Sequence, residues 1–282
     1  MNQMNLFSSF LRISVEKKKK GKSNMSFFKK LAASAGIGAA KVDTILEKDA
    51  YYPGEEVRGT VHVKGGKISQ DIRYIDLQLN TRYVIVKDDE EHRKYATIHS
   101  FRVTGSFTIQ PGEEHQFPFS FTLPLDTPIT VGKVEVAVVT DLDIQGGIDK
   151  SDHDRIFVEA HPWMESVLEA IENLGFRLNE ADCEQAPYFR RRLPFVQEFE
   201  FVPTSGYYRQ MLDELELIFL LDEDGLEIIF EVDRRARGLR GWLEEMYNDR
   251  EQLVRVRFSQ SELEDTEELE EVLGEIIDQY AE

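Results

Sequence analysis

The sequence predicts an all-β fold: a β-sandwich, a second β-rich unit behind it, and an amphipathic helix at the C-terminal end. Three observations carry that expectation. Tyr51-Tyr52-Pro53-Gly54-Glu55 sets a Pro-Gly turn directly before the alternating positions Val57, Gly59, Val61 and Val63. Proline presets φ at such a corner and glycine admits φ > 0. Phe117, Phe119 and Phe121 then line one face of a run that stops at Pro124 and Pro128, and Ile75-Asp76-Leu77-Gln78-Leu79 and Val134-Glu135-Val136-Ala137-Val138 keep the same period of two.

Taken in order, Lys41 to Glu47 is the first strand, and the Pro-Gly corner leads to the second. Further strands are expected over Ile72 to Val86, Tyr95 to Ile109, Gln116 to Leu123, Val134 to Ile144 and Arg155 to Ala160. Asp88-Asp89-Glu90-Glu91 and Gln110-Pro111-Gly112 mark turns between them. Seven short strands with turns between suit a sandwich over residues 25–159. His161-Pro162 opens a helix, because proline suits a first helical turn, and Trp163, Val167, Leu168, Ile171 and Leu174 recur at helical spacing up to Gly175.

The second unit, residues 160–258, adds strands over Gln197 to Val202, Leu215 to Leu221, Leu226 to Val232 and Leu253 to Phe258. Leu239, Trp242, Leu243, Met246 and Tyr247 give it a short amphipathic helix. Residues 259–282 form an acidic helix with the apolar stripe Leu269, Val272, Leu273, Ile276, Ile277 and Tyr280. Such a stripe must be covered by the chain's own β structure or by a second copy, and a homodimer through this helix is the expectation.

Composition narrows the function classes. With 53 Asp and Glu against 34 Lys and Arg in 282 residues, the net charge is -19, which disfavours general nucleic-acid binding and favours basic or neutral partners. Cys183 is the single cysteine, so an intrachain disulfide and a cysteine-based zinc site are excluded. No apolar run reaches the roughly 20 residues that span a bilayer, so no transmembrane helix is expected. Leu6 to Val15 precedes Lys17-Lys18-Lys19-Lys20, the reverse of a secretion signal. Residues 1–24 are expected to lie outside the fold, with Met25 as the natural start, because codons for Lys19 to Lys22 can spell a purine-rich ribosome-binding sequence.

One segment has metal-ligand spacing. Asp141, Asp143, Gln145, Asp149 and Asp152 fall at positions one, three, five, nine and twelve of a loop with Gly146 at six, which is calcium-loop spacing. A calcium-dependent binding module is therefore the alternative function. Asp152 stands where a bidentate Glu is usual, and the flanks read as strands rather than helices. Arg190, Arg191 and Arg192, and Arg234, Arg235, Arg237 and Arg240, form basic clusters suited to phosphate or an acidic partner. Such clusters are more often solvated faces. No Gly-x-Ser-x-Gly elbow, complete Gly-rich phosphate loop or paired histidine is present, so neither an enzyme nor a cofactor is expected.

The Tyr51 to Gly59 corner, Phe119-Ser120-Phe121-Thr122-Leu123-Pro124, Pro128-Ile129-Thr130 and Val134 to Ile144 resemble arrestin-like domains in order and spacing. Together with Met25-Ser26-Phe27-Phe28-Lys29-Lys30, Leu142-Asp143-Ile144, His161-Pro162, Phe201-Val202-Pro203 and Leu212-Asp213-Glu214-Leu215-Glu216, the chain resembles the bacterial sporulation-control (SpoOM) family. That resemblance implies a cytoplasmic, non-enzymatic regulator or scaffold acting through contacts with other proteins. Candidate docking sites come from the residues themselves: exposed strand edges and loops, where an added strand gains main-chain hydrogen bonds, the arginine clusters, and the stripe positions Leu269, Leu273 and Ile276.

Overall fold

The computed structural model describes residues 38–87, 90–189, 191–204, 206–233 and 254–281. The proposed start at Met25, Asp88-Asp89, Arg190, and the helix expected over Leu239 to Tyr247 with Arg234, Arg235, Arg237 and Arg240 lie outside the described residues.

Strand β1 (Lys41–Leu46) pairs with β3 (Glu56–Lys64), and β3 pairs with β7 (Glu114–Thr122), giving a three-stranded sheet. The turn between β1 and β3 closes with Glu55 N–H donating to Tyr52 C=O at 3.0 Å, and Gly54 takes φ 90° there, the position that glycine alone fills without strain. Gly59 is required for a different reason. A Cβ there would stand 2.6 Å from the Phe119 ring and 2.7 Å from the Ile45 carbonyl oxygen.

The opposing sheet is built around β4 (Gln70–Lys87), an 18-residue strand. One edge of β4 pairs with β5 (Glu90–Thr104) and β6 (Phe107–Ile109). The other pairs with β8 (Val136–Ile144) from Ile72 to Thr81, and then with β10 (Phe176–Gln185) at Val84↔Glu184. Beyond β8 follow β9 (Lys150–Val158) and the two-residue β2 (Ala50–Tyr51). Beyond β10 follow β11 (Phe195–Pro203), β12 (Glu214–Leu221), β13 (Gly225–Asp233) and β14 (Val254–Ser259). The result is an 11-stranded sheet whose two halves meet at β4 and β10.

Val57 and Val61 of the small sheet pack against Ile75, Leu77, Leu79, Val136 and Val138 of the large one, all buried. The same core continues through Phe199, Phe201, Leu215, Leu217 and Phe230 of the second half. Helix α1 (Pro162–Asn173) begins where expected: His161 Nδ1 accepts from Trp163 N–H at 3.3 Å, and Pro162 occupies the first turn. Met164, Val167, Leu168 and Ile171 are its buried face.

The C-terminal segment is two helices, α2 (Gln260–Glu264) and α3 (Thr266–Ala281), with Asp265 extended between them. Ser259 and Glu262 form a reciprocal capping box at the start of α2, which satisfies two otherwise orphaned backbone donors. Helix α3 packs on α1, α2 and β13. Leu269 is 1% exposed and Leu273 and Ile277 are 0% exposed, while Ile276 is partly buried on the same core. Leu269 and Leu273, expected as docking positions, are therefore core positions of this chain. The chain covers these side chains itself, so Leu269 and Leu273 offer no surface to a second copy.

Candidate functional site

The pleat separates the residues of the calcium-like spacing. Asp141 and Asp143 lie in β8 and Asp152 in β9, and the register Thr140↔Asp152 and Asp141↔Ser151 turns Asp152 to the face opposite Asp141. Asp152 accepts from Thr44 N–H at 2.7 Å in the opposing sheet. Asp143 pairs with Arg73, and that guanidinium lowers its carboxyl below the ordinary value. Asp149 accepts from Ile144 N–H at 3.0 Å inside the hairpin, and burial raises the Asp141 carboxyl. Gln145 sits exposed at the tip. Among the described residues, no group of three His, Cys, Asp or Glu side chains is placed to hold a metal ion. Of the arginines, Arg192 donates to Asp126 at 3.0 Å and to the Ile98 carbonyl, while Arg191 borders a small apolar cleft with Leu125, Pro128 and Leu220.

Two other places in the fold combine unusual residues with unusual geometry. The first is the open side of the sandwich, where β5 and β6 of the large sheet face β7 of the small one. Among the described residues β5 pairs only with β4, and β7 only with β3, so each presents a free edge. Between them runs a seam of partly buried aromatic rings. Phe101 and Phe121 are 5.4 Å apart, His99 and Phe121 5.5 Å, Phe107 and Phe117 5.2 Å, and Phe107 and His115 5.3 Å between centroids. Pro118 lies on β7 and removes a donor, a feature confined to edge strands and one that discourages pairing there. The β5 edge carries no proline, and its Tyr95 is 71% exposed.

The second place is the junction of β4 with β10. Opposite residues in register form an acidic row across four strands: Glu180↔Glu200, Glu200↔Glu216 and Glu216↔Glu231. Asp182↔Glu198 forms a second row beside it. Glu198 is 9% exposed, Glu216 6% and Asp182 8%, which is unusual for carboxylates. A cavity of about 140 Å³ is lined here by Val84, Glu91, Lys133, Glu184, Glu198 and Glu216, among others. Sequence reading passed over this row, because Glu-Phe-Glu-Phe in β11 and Glu-Leu-Glu-Leu in β12 read as strands with a solvated polar face. The repeat of the same spacing in neighbouring strands was the signal that could have found it.

Two packed sheets, a docked C-terminal helix pair and these two surfaces define a mostly β protein. Among its described residues no helix is long and apolar enough to cross a membrane. The family follows from direct comparison. The chain belongs to the SpoOM protein family, whose model matches residues 28–236. It is 96% identical over 258 residues to the sporulation-control protein spo0M of Bacillus subtilis strain 168, an alignment covering 92% of this chain and 100% of that protein. The crystal structure of Spo0M, a sporulation control protein from Bacillus subtilis, superposes with a TM-score of 0.84 at 95% identity, covering 86% of this chain and 100% of that one. Membership identifies this chain as a sporulation-control protein, a regulator by class.

Proposed function

We propose that the chain exerts sporulation control as a cytoplasmic, non-enzymatic, arrestin-like adaptor that binds other proteins along the free edge of β5 and the aromatic seam behind it. The observation that carries this reading is the pairing of the proline-free β5 edge with partly exposed aromatic rings. An added strand gains main-chain hydrogen bonds from the edge, and aromatic rings beside it supply side-chain selectivity. Pro118 directs that docking to β5 rather than β7, because an incoming strand meets a missing donor on β7.

Photocrosslinking in sporulating cells tests it. A crosslinking amino acid at Tyr95 or Ser100 on β5 is expected to give a discrete adduct to a protein partner, and the same group at exposed Ser151 on β9 is expected to give none. Equal adducts from both strands, or none from β5, would overturn the reading.

A further inference from the structure

The two halves of the large sheet are registered to each other at a single pair, Val84↔Glu184. Two ion pairs reinforce that thin connection. Arg93, which lies opposite Val84 on β5, donates to Asp182 at 2.9 Å, and Lys133 pairs with Glu180. Around these two cations the remaining charged groups are all carboxylates. From the first half, β5 brings Glu91 toward Glu184. From the second half, β11 brings Glu198 and Glu200, and β12 brings Glu216. Glu231 of β13 stands opposite Glu216. Burial and the adjacent Glu216 carboxyl favour the protonated form of Glu198. Two carboxyl groups in such contact share a hydrogen bond only when one of them carries a proton. Oε1 of Glu198 is buried without a hydrogen-bond partner among the described residues.

We propose that this junction is a proton-responsive joint, in which protonated carboxyls let β10 close on β4 and their ionisation loosens the two halves of the sheet. The geometry demands such behaviour, since like charges held at adjacent register positions away from water repel strongly. Burial and the nearby Asp182 and Glu91 carboxylates raise Glu184 to about 7. Burial, followed by Glu216 and Glu184, raises Glu198 well above the ordinary carboxylate value. The folded chain therefore binds protons more tightly than the unfolded one. The joint's stabilisation is complete below the unfolded carboxylate pKa and declines as pH rises through about 7 for Glu184.

Cys183 reports on the joint directly. It neighbours Glu184 in β10, is 0% exposed and is free, so a thiol reagent reaches it only when β10 opens. The test is the rate of modification of the full chain by methyl methanethiosulfonate, divided at each pH by the rate for a small free thiol. Between pH 6 and 8 the normalised rate is expected to rise about tenfold, as ionisation of one strongly raised carboxyl costs at least that factor. In Glu184→Gln the rise is expected to be clearly smaller, with only the part carried by Glu198 left. A flat profile in the native chain, or an undiminished rise in Glu184→Gln, would overturn the proposal. Should circular dichroism show that Glu184→Gln does not fold, Glu91→Gln serves instead, because Glu91 is exposed on β5. Removing that like charge is expected to move the midpoint of the rise to lower pH, and an unmoved midpoint counts against the joint.

Discussion

Strands β8 and β12 sit on opposite sides of the β4–β10 junction and use the same period of two to different ends. In β8, Val136 and Val138 are buried, while Ala137 and Val139 on the other face are only partly covered. In β12 nearly every residue is buried: Leu215, Leu217 and Leu221 face the main core, and Glu214, Glu216, Ile218 and Leu220 fill the other face. Ile218 and Leu220 join a small separate cluster there with Val196 and Ile229. Alternation in the first half thus separates core from water. In the second half it separates an apolar core from a second buried layer that includes carboxylates. A polar position in a strand is not evidence of a wet one.

The second half should be the more sensitive to rising pH and to loss of its core, and four experiments bear on that contrast. The largest effect is expected from truncation before Thr266, which uncovers the second half's core. Burial of Leu269, Leu273 and Ile277 contributes roughly 4–9 kcal/mol before the ordering cost of the helix is subtracted. A large fall in melting temperature with an unchanged oligomeric state by light scattering is the expected result, and loss of a dimer would assign the helix to self-association. Next, Phe199→Ala in the core of β11 should cost about 3–5 kcal/mol by denaturant titration, since a ring 1% exposed leaves a cavity.

The third effect is specific to the carboxylate layer. Raising the pH from 4.5 to 8 should remove on the order of 2–3 kcal/mol through Glu184, whose pKa of about 7 lies well above its ordinary 4.5. Glu184→Gln should flatten that limb of the stability curve, whereas Thr97→Gln on the first half's β5 should leave it intact. The smallest effect is expected at the hairpin between β12 and β13. Asp222 accepts two bonds from Arg257, each at 2.7 Å, and bonds from Asp224 and Gly225 N–H, which together lower its carboxyl to about 2. Its contribution is present above its ordinary pKa and lost as pH falls through about 2. Because the pair is exposed, Asp222→Asn should cost about 1 kcal/mol or less at neutral pH.

The strands of the first half were legible because each has one wet face, so Val57 to Val63 and Ile75 to Leu79 show an unbroken period. Strand β10 was not, and its bulge between Leu178 and Glu180 gives the reason. Phe176 and Leu178 point inward before the bulge, and Ala181 and Cys183 after it, so the apolar phase shifts by one residue and the period disappears. With β10 unread, neither the junction nor the carboxylate layer could be placed. The calcium-like spacing failed in the opposite sense. Spacing along the chain matched a loop, but a hairpin sends alternate residues to opposite faces, which parts Asp152 from Asp141. The apolar stripe of α3 was read correctly as a buried face; which surface covers it depends on how α1 and β13 meet, and periodicity holds no record of that.

The direct test of the adaptor role is sporulation frequency in cells whose only copy of the protein carries Tyr95→Glu and Ser100→Glu on the β5 edge. Both side chains are exposed, so folding and abundance should match the unaltered protein. Edge docking predicts that sporulation frequency shifts to that of cells lacking the protein, while a matched change at Ser151 on β9 has no effect. Normal sporulation with the β5 pair, at equal abundance and with an unchanged melting temperature, would contradict it.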